Sequence, residues 1–159
     1  MRIRFTLNGK TVQVDAEPET RLSEILLHEL AVASLRQDCS EGRCGSCLVI
    51  FEGMIVSSCM IPMFRVLGTE VTTVEGLFGS KDLRDIERGF QRSGFEPCRY
   101  CAAPKTLLTH AIISENTSPR EEELQVQAQA VRCRCTSYQH FLEAIRNAAK
   151  QRRSRSGDT

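Results

Sequence analysis

The feature that most restricts this chain is where its sulfur lies. Eight cysteines occur in 159 residues, as Cys39, Cys44 and Cys47 in "CSEGRCGSC", a single Cys59, Cys98 and Cys101 in "CRYC", and Cys133 and Cys135 in "CRC". A chain of this length can bury an adequate core without disulfide staples. The opening stretch "MRIRFTLNGK" alternates Ile3, Phe5 and Leu7 with polar residues, the period of a strand rather than the apolar core of a secretory signal. No apolar run approaches the ~20 residues of a membrane span. A cytoplasmic, reducing location is therefore expected, where disulfides seldom persist. Metal binding is the leading use for the cysteines.

Spacing refines this. Cys39, Cys44 and Cys47 are separated by four and then two residues, the plant-type 2Fe-2S pattern, whose fourth ligand comes later in the chain. Cys59 is the candidate nearby, beyond a turn that returns the chain to the loop. Several thiolates directed at one centre need an irregular loop, and Gly42 and Gly45 permit the close backbone approach. Zinc is the rival, but zinc sites use a short gap in both halves, and only Cys44 to Cys47 has one. Cys98 and Cys101 precede one expected helix, and Cys133 and Cys135 fall between two others. An antiparallel helix pair spanning that interval brings its ends together, so these four thiols can form a second centre. A thioredoxin-like reading of "CRYC" fails because no βαβ pattern surrounds it. The cysteines sort four and four, with none left over.

Two halves differ in periodicity. Asn8-Gly9 between alternating runs at 3–7 and 11–14 signals a hairpin, because both turn positions need positive φ. Thr20 can cap a helix carrying Leu22, Ile25, Leu26 and Leu30. "LVIFEGMIV" reads as two strands joined at Glu52-Gly53, with another at Val71 to Val74. From Ser80 the pattern becomes helical: a Ser80-capped segment ending near Gly94, one from Pro104, one from Pro119 after the capping box "SPRE", and one opened by Thr136 and Gln139. The fold class is α+β, with a small mixed sheet crossed by one helix in residues 1–76, a four-helix bundle in 77–150, and a disordered basic tail over 151–159.

The remaining candidates point away from catalysis in this chain. Hydrophobic residues make up 41% and charged residues 26%, with a net charge of +1, so nothing draws it to nucleic acid or membrane. His28, His110 and His140 sit in expected helices outside both cysteine sets. Glu121 to Glu123 occupy a first helical turn, where negative charge suits the dipole. No Walker loop or G-x-G-x-x-G occurs, so a bound nucleotide is unsupported.

"CSEGRCGSC" followed by "LVIFEGMIVSSC" and "VTTVEGL", then "CRYC" and "CRCTSY", resembles the small iron-sulfur subunit of the molybdenum hydroxylases, which include xanthine dehydrogenase, aldehyde oxidoreductase and carbon monoxide dehydrogenase. The likeness spans about residues 2 to 148 and implies a β-grasp ferredoxin domain before the bundle. It also implies two 2Fe-2S clusters that relay electrons from a molybdenum-pterin centre on a large subunit to FAD on another subunit of a hetero-oligomer. Cys98, Cys101, Cys133 and Cys135 would then hold the cluster nearer molybdenum, and Cys39, Cys44, Cys47 and Cys59 the one nearer the flavin.

Departures gather around the second set. Pro97 stands where the family usually has a pterin-contacting glutamine, Arg99 and Tyr100 replace Gly-Phe, Ala102 replaces threonine, Ser137 replaces glycine, and Asp38 replaces the glycine before Cys39. Arg99 is a candidate for raising the cluster's potential. The competing readings are the iron-sulfur subunit of a molybdenum-free flavin dehydrogenase and a zinc-stabilised interaction module.

Overall fold

The computed structural model describes residues 1–157. They form two compact units, Met1–Gly76 and one beginning at Leu77.

In the first unit β1 (Arg2–Leu7) and β2 (Lys10–Asp15) form an antiparallel hairpin. Asn8 and Gly9 at its turn have φ of +51° and +77°, the pair of positive values that a two-residue turn needs to match strand twist. The same solution recurs between β3 (Leu48–Phe51) and β4 (Met54–Ser57), where Glu52 and Gly53 have φ of +50° and +81°. Strand β5 (Glu70–Thr72) lies between the hairpins, parallel to β1 and antiparallel to β3, giving the order β2-β1-β5-β3-β4. Val71 on this central strand is fully buried.

One helical segment packs against the sheet core through Leu22, Ile25 and Leu26. It begins as α1 (Leu22–Glu24) and widens into a π turn over Ile25–Glu29, where Leu30 N–H donates to the Ile25 carbonyl at 3.0 Å. Thr20 supplies no side-chain cap; Arg21 occupies that position, and the Thr20 carbonyl instead accepts from Met63 N–H at 2.9 Å. Ala31, with φ of +49°, ends the segment and releases the chain toward the first cysteine loop.

The second unit is built from α2 (Lys81–Ser93), α3 (Ala102–Glu115), α4 (Glu121–Gln127) and α5 (Tyr138–Gly157). Ser80 Oγ accepts from Leu83 N–H at 3.0 Å at the start of α2, and Gly94 closes it in the left-handed conformation. Helices α2 and α5 approach closely at Gly89, where a Cβ would stand 2.3 Å from the Ala148 nitrogen. The expected inward residues Leu124, Phe141, Leu142 and Ile145 are all buried.

Three further local expectations are corrected. Helix α4 begins two residues past Pro119, because the Glu123 carboxylate accepts from both the Arg120 backbone N–H and its guanidinium. Ser137, not Thr136, caps α5, its hydroxyl accepting from His140 N–H at 3.1 Å. The basic tail is helical through Gly157, since Arg152 and Arg155 pair with the buried Asp85 and with Asp82. Arg152 Nε lies 3.1 Å from Asp85, which is 3% exposed, and Arg155 bridges Asp85 and Asp82 at 2.8 and 2.6 Å. Ion pairs here take the place of the apolar contacts that the tail lacks. Asp158 and Thr159, the end of that stretch, lie outside the described residues.

Candidate metal centres

The first cysteine loop is shaped by residues that few side chains tolerate. Ser40, Gly42 and Gly45 have φ of +56°, +70° and +77°, and a Cβ on Gly42 would come within 2.9 Å of Met60. Arg21 secures the loop to the helical segment by donating to the Ser40 carbonyl at 2.6 Å. The N–H groups of Glu41 and Arg43 thereby point at Cys39 Sγ, each at 3.4 Å. These donors, Glu41 first, draw the Cys39 thiol down to about 6. Cys44 Sγ accepts from Ser46 N–H at 3.5 Å.

Cys59 reaches this loop through a tie that spacing did not disclose. Ser58 donates both its N–H (3.0 Å) and its hydroxyl (2.8 Å) to the Cys47 carbonyl, which brings Cys59 into side-chain contact with Cys47. Burial, followed by that contact, pushes the Cys59 thiol up to about 11. Within the first four cysteines Cys39 feels Cys44, and Cys59 feels both Cys47 and the more distant charge of Cys39.

The second set is tighter. The Sγ atoms of Cys98, Cys101, Cys133 and Cys135 all lie within 4.8 Å of one another. Cys101 is the N-cap of α3, and its N–H and that of Ala102 both donate to the Cys98 carbonyl, at 3.0 and 2.9 Å. Across the set, Cys98 N–H donates to Cys135 Sγ at 3.4 Å, and Cys135 N–H to Cys133 Sγ at 3.2 Å. Burial raises the Cys101 thiol. Burial also opposes ionisation of Cys133, but hydrogen bonds from Cys135 and Cys101 outweigh it and lower that thiol. Four thiols with backbone N–H groups turned toward sulfur suit an iron-sulfur cluster, whose charge such donors moderate.

Lys105 was missed at sequence level, although a signal existed. Three residues before Leu108, on the inward face of α3, stands a lysine, and Lys105 is 3% exposed. Its ammonium donates to Thr136 Oγ1 at 2.7 Å, beside Cys135. Arg99, by contrast, is exposed.

The other candidates take structural positions. His28 is exposed on the π turn. His140 Nε2 lies 2.7 Å from the Ser93 carbonyl oxygen, with its ring edge-on to Phe95. His110 is 3.8 Å from Asp82, and burial lowers its pKa. Glu121 accepts from Arg146 and Gln125, and Glu123 from Arg120. No helix among the described residues is long and apolar enough to cross a membrane.

Comparison with known proteins matches both halves of the chain to iron-sulfur domains. Residues 5–73 match the 2Fe-2S iron-sulfur cluster binding domain, and residues 73–146 match the 2Fe-2S binding domain. The nicotinate dehydrogenase small FeS subunit of Eubacterium barkeri is 31% identical over 149 residues, covering 94% of this chain and 95% of its own. The xanthine dehydrogenase iron-sulfur-binding subunit of Escherichia coli O157:H7 is 32% identical over 155 residues, with 93% and 94% covered. A chain of quinoline 2-oxidoreductase from Pseudomonas putida 86 superposes with a TM-score of 0.86 at 30% identity, covering 100% of this chain and 98% of that one.

Proposed function

The chain belongs to the small iron-sulfur subunits of the molybdenum hydroxylases, and from that premise we propose that it holds two 2Fe-2S clusters and relays electrons between partner subunits. One cluster is assigned to Cys39, Cys44, Cys47 and Cys59, the other to Cys98, Cys101, Cys133 and Cys135. Electrons enter from a molybdenum-pterin centre on a large subunit; they leave, one at a time, to FAD on another. The observation that carries this reading is the convergence, within 4.8 Å, of four thiols from two separate segments at the start of α3.

What a 2Fe-2S cluster supplies when bound is one-electron uptake and release. The chain's own residues do the rest. Arg21 and the positive-φ residues hold the first loop so that backbone N–H groups meet Cys39. Ser58 positions Cys59 against Cys47. The Cys98 turn and the Cys101 cap gather the second set. Both sets keep buried cysteines away from bulk water, Cys47 and Cys59 in the first and Cys101 in the second.

The test is purification under anaerobic conditions together with the subunits that accompany the chain. About four irons per chain are expected, two for each cluster of this type, and partial reduction should give two distinct paramagnetic signals. Cys133→Ser should abolish one signal and spare the other. Molybdenum and flavin should be found in the accompanying subunits. Zinc without iron would overturn the reading, and molybdenum-free partners would overturn the assignment of the electron donor.

A further inference from the structure

Charge near the second cysteine set lies deeper than the "CRYC" motif suggests. Arg99, inside that motif, is exposed, and among the described residues no hydrogen bond joins it to a cysteine sulfur. Lys105, one turn into α3, is 3% exposed. Its backbone N–H donates to the Cys101 carbonyl at 3.0 Å, so its Cα is fixed relative to a proposed ligand. Its ammonium donates to Thr136 Oγ1 at 2.7 Å and stands 5.1 and 4.8 Å from the ring centroids of Phe95 and Phe141. That same Thr136 hydroxyl is 3.9 Å from Cys135 Sγ. The ammonium is therefore one hydroxyl away from the sulfur set.

An ammonium carries three N–H donors and no acceptor. Here it meets one oxygen and two aromatic faces, each of which stabilises a cation. Buried among them, its field is weakly screened by solvent and salt. Four thiolates make any centre they hold strongly negative, so adding an electron costs less beside a fixed positive charge, and net charge is one determinant of cluster potential.

We propose that Lys105 is a positioning residue whose buried charge raises the reduction potential of the cluster held by Cys98, Cys101, Cys133 and Cys135. This rests on the cluster assignment above. The role falls to Lys105 rather than to Arg99, whose charge is exposed to solvent.

The experiment is a redox titration of the full chain with its accompanying subunits, following each paramagnetic signal separately. Lys105→Met and Lys105→Gln should shift one midpoint downward and leave the other unmoved. At a fixed poise the ratio of reduced to oxidised centre should fall about tenfold, equivalent to about 59 mV for one electron. The shifted signal should be the one that Cys133→Ser abolishes. Lys105→Arg should keep the midpoint near that of the unaltered chain, and Arg99→Gly should move it much less than Lys105→Met does. Two intact signals with unmoved midpoints in both neutral variants would overturn the proposal. If a neutral variant loses the second signal, Lys105→Arg decides: a retained signal at the unaltered midpoint supports the role of charge, and loss there too overturns it. Absence of iron from the unaltered chain would overturn the cluster assignment instead, so the two failures are separable.

Discussion

Glu75 joins three parts of the first unit through one carboxylate. It accepts from the Ser34 N–H at 2.9 Å and the Ser34 hydroxyl at 2.8 Å, just ahead of the cysteine loop, and from the Thr73 hydroxyl. Thr73 is in turn held by the Asn8 side chain at the first hairpin turn, at 2.8 and 2.9 Å. Burial pushes the Glu75 carboxyl up, but the hydrogen bonds from Thr73 and Ser34 win and hold it below its ordinary 4.5. A carboxyl depressed in the folded state contributes stability that is complete above the unfolded value and lost as pH falls through the folded one. Glu75→Gln should therefore cost about 1–2 kcal/mol near neutral pH, at or below the low end of the range of about 1.5–3 kcal/mol for hydrogen bonds to a charged group, because the carboxylate is only half-buried. Urea melts should show that difference shrinking as pH drops from 5 toward 3, and a difference independent of pH would contradict the role given to the charge. Legibility at this scale followed distance along the chain. The loop of Cys39, Cys44 and Cys47 was readable because its spacing and its glycines are a local pattern, whereas Glu75, Ser58 and Lys105 act on partners that only the fold brings near.

At the scale of elements, α5 and its basic end show what periodicity cannot see. Residues 150–159 hold no apolar side chain on which a helical pattern could be read. The helix nevertheless continues to Gly157 because Asp82 and Asp85, in the first turns of α2, receive Arg152 and Arg155. Asp85 is 3% exposed, and stripping a buried charge of its partners costs more than the pair contributes when intact, on the order of 3–5 kcal/mol. A chain ending at Lys150 should accordingly unfold at lower denaturant, and Asp85→Asn in that shortened chain should recover part of the loss by removing the stranded charge. Failure of Asp85→Asn to recover any stability would show that the ion pairs are incidental to the helix. The elements read correctly from sequence carry their determinants within a few residues, as do the Asn8-Gly9 and Glu52-Gly53 turns, the Ser80 cap and the Gly94 stop. Residue type alone puts the cap of α5 one residue early, because Thr136, a good capping residue by type, is already engaged by Lys105. Choice between Thr136 and Ser137 depends on a side chain from another helix.

For the whole molecule, the decisive fact is that Met1–Gly76 closes its own core, and that two of the thiols proposed as ligands belong to that core. Cys47 and Cys59, each 2% exposed, cluster with Phe5, Leu26, Val49 and Met63. A unit of this size lies near the limit at which one apolar core supplies only a few kcal/mol. Anything bound to the folded form alone adds stability by mass action, about 4 kcal/mol when present at a thousandfold its dissociation constant. Cluster loading and folding of the first unit are therefore expected to be linked, since thiols must be deprotonated and gathered before they ligate, and the high value of about 11 for the Cys59 thiol makes loading release a proton near neutral pH. A fragment of residues 1–76 should hold about two irons, show the signal that survives Cys133→Ser in the full chain, and lose cooperative unfolding when its iron is removed by a chelator. Loading of that fragment should weaken as pH falls, because protons compete for the same sulfurs. A fragment that takes up no iron while the full chain takes its complement would mean that the first centre needs residues beyond Gly76, and the independence of the two sets would have to be given up.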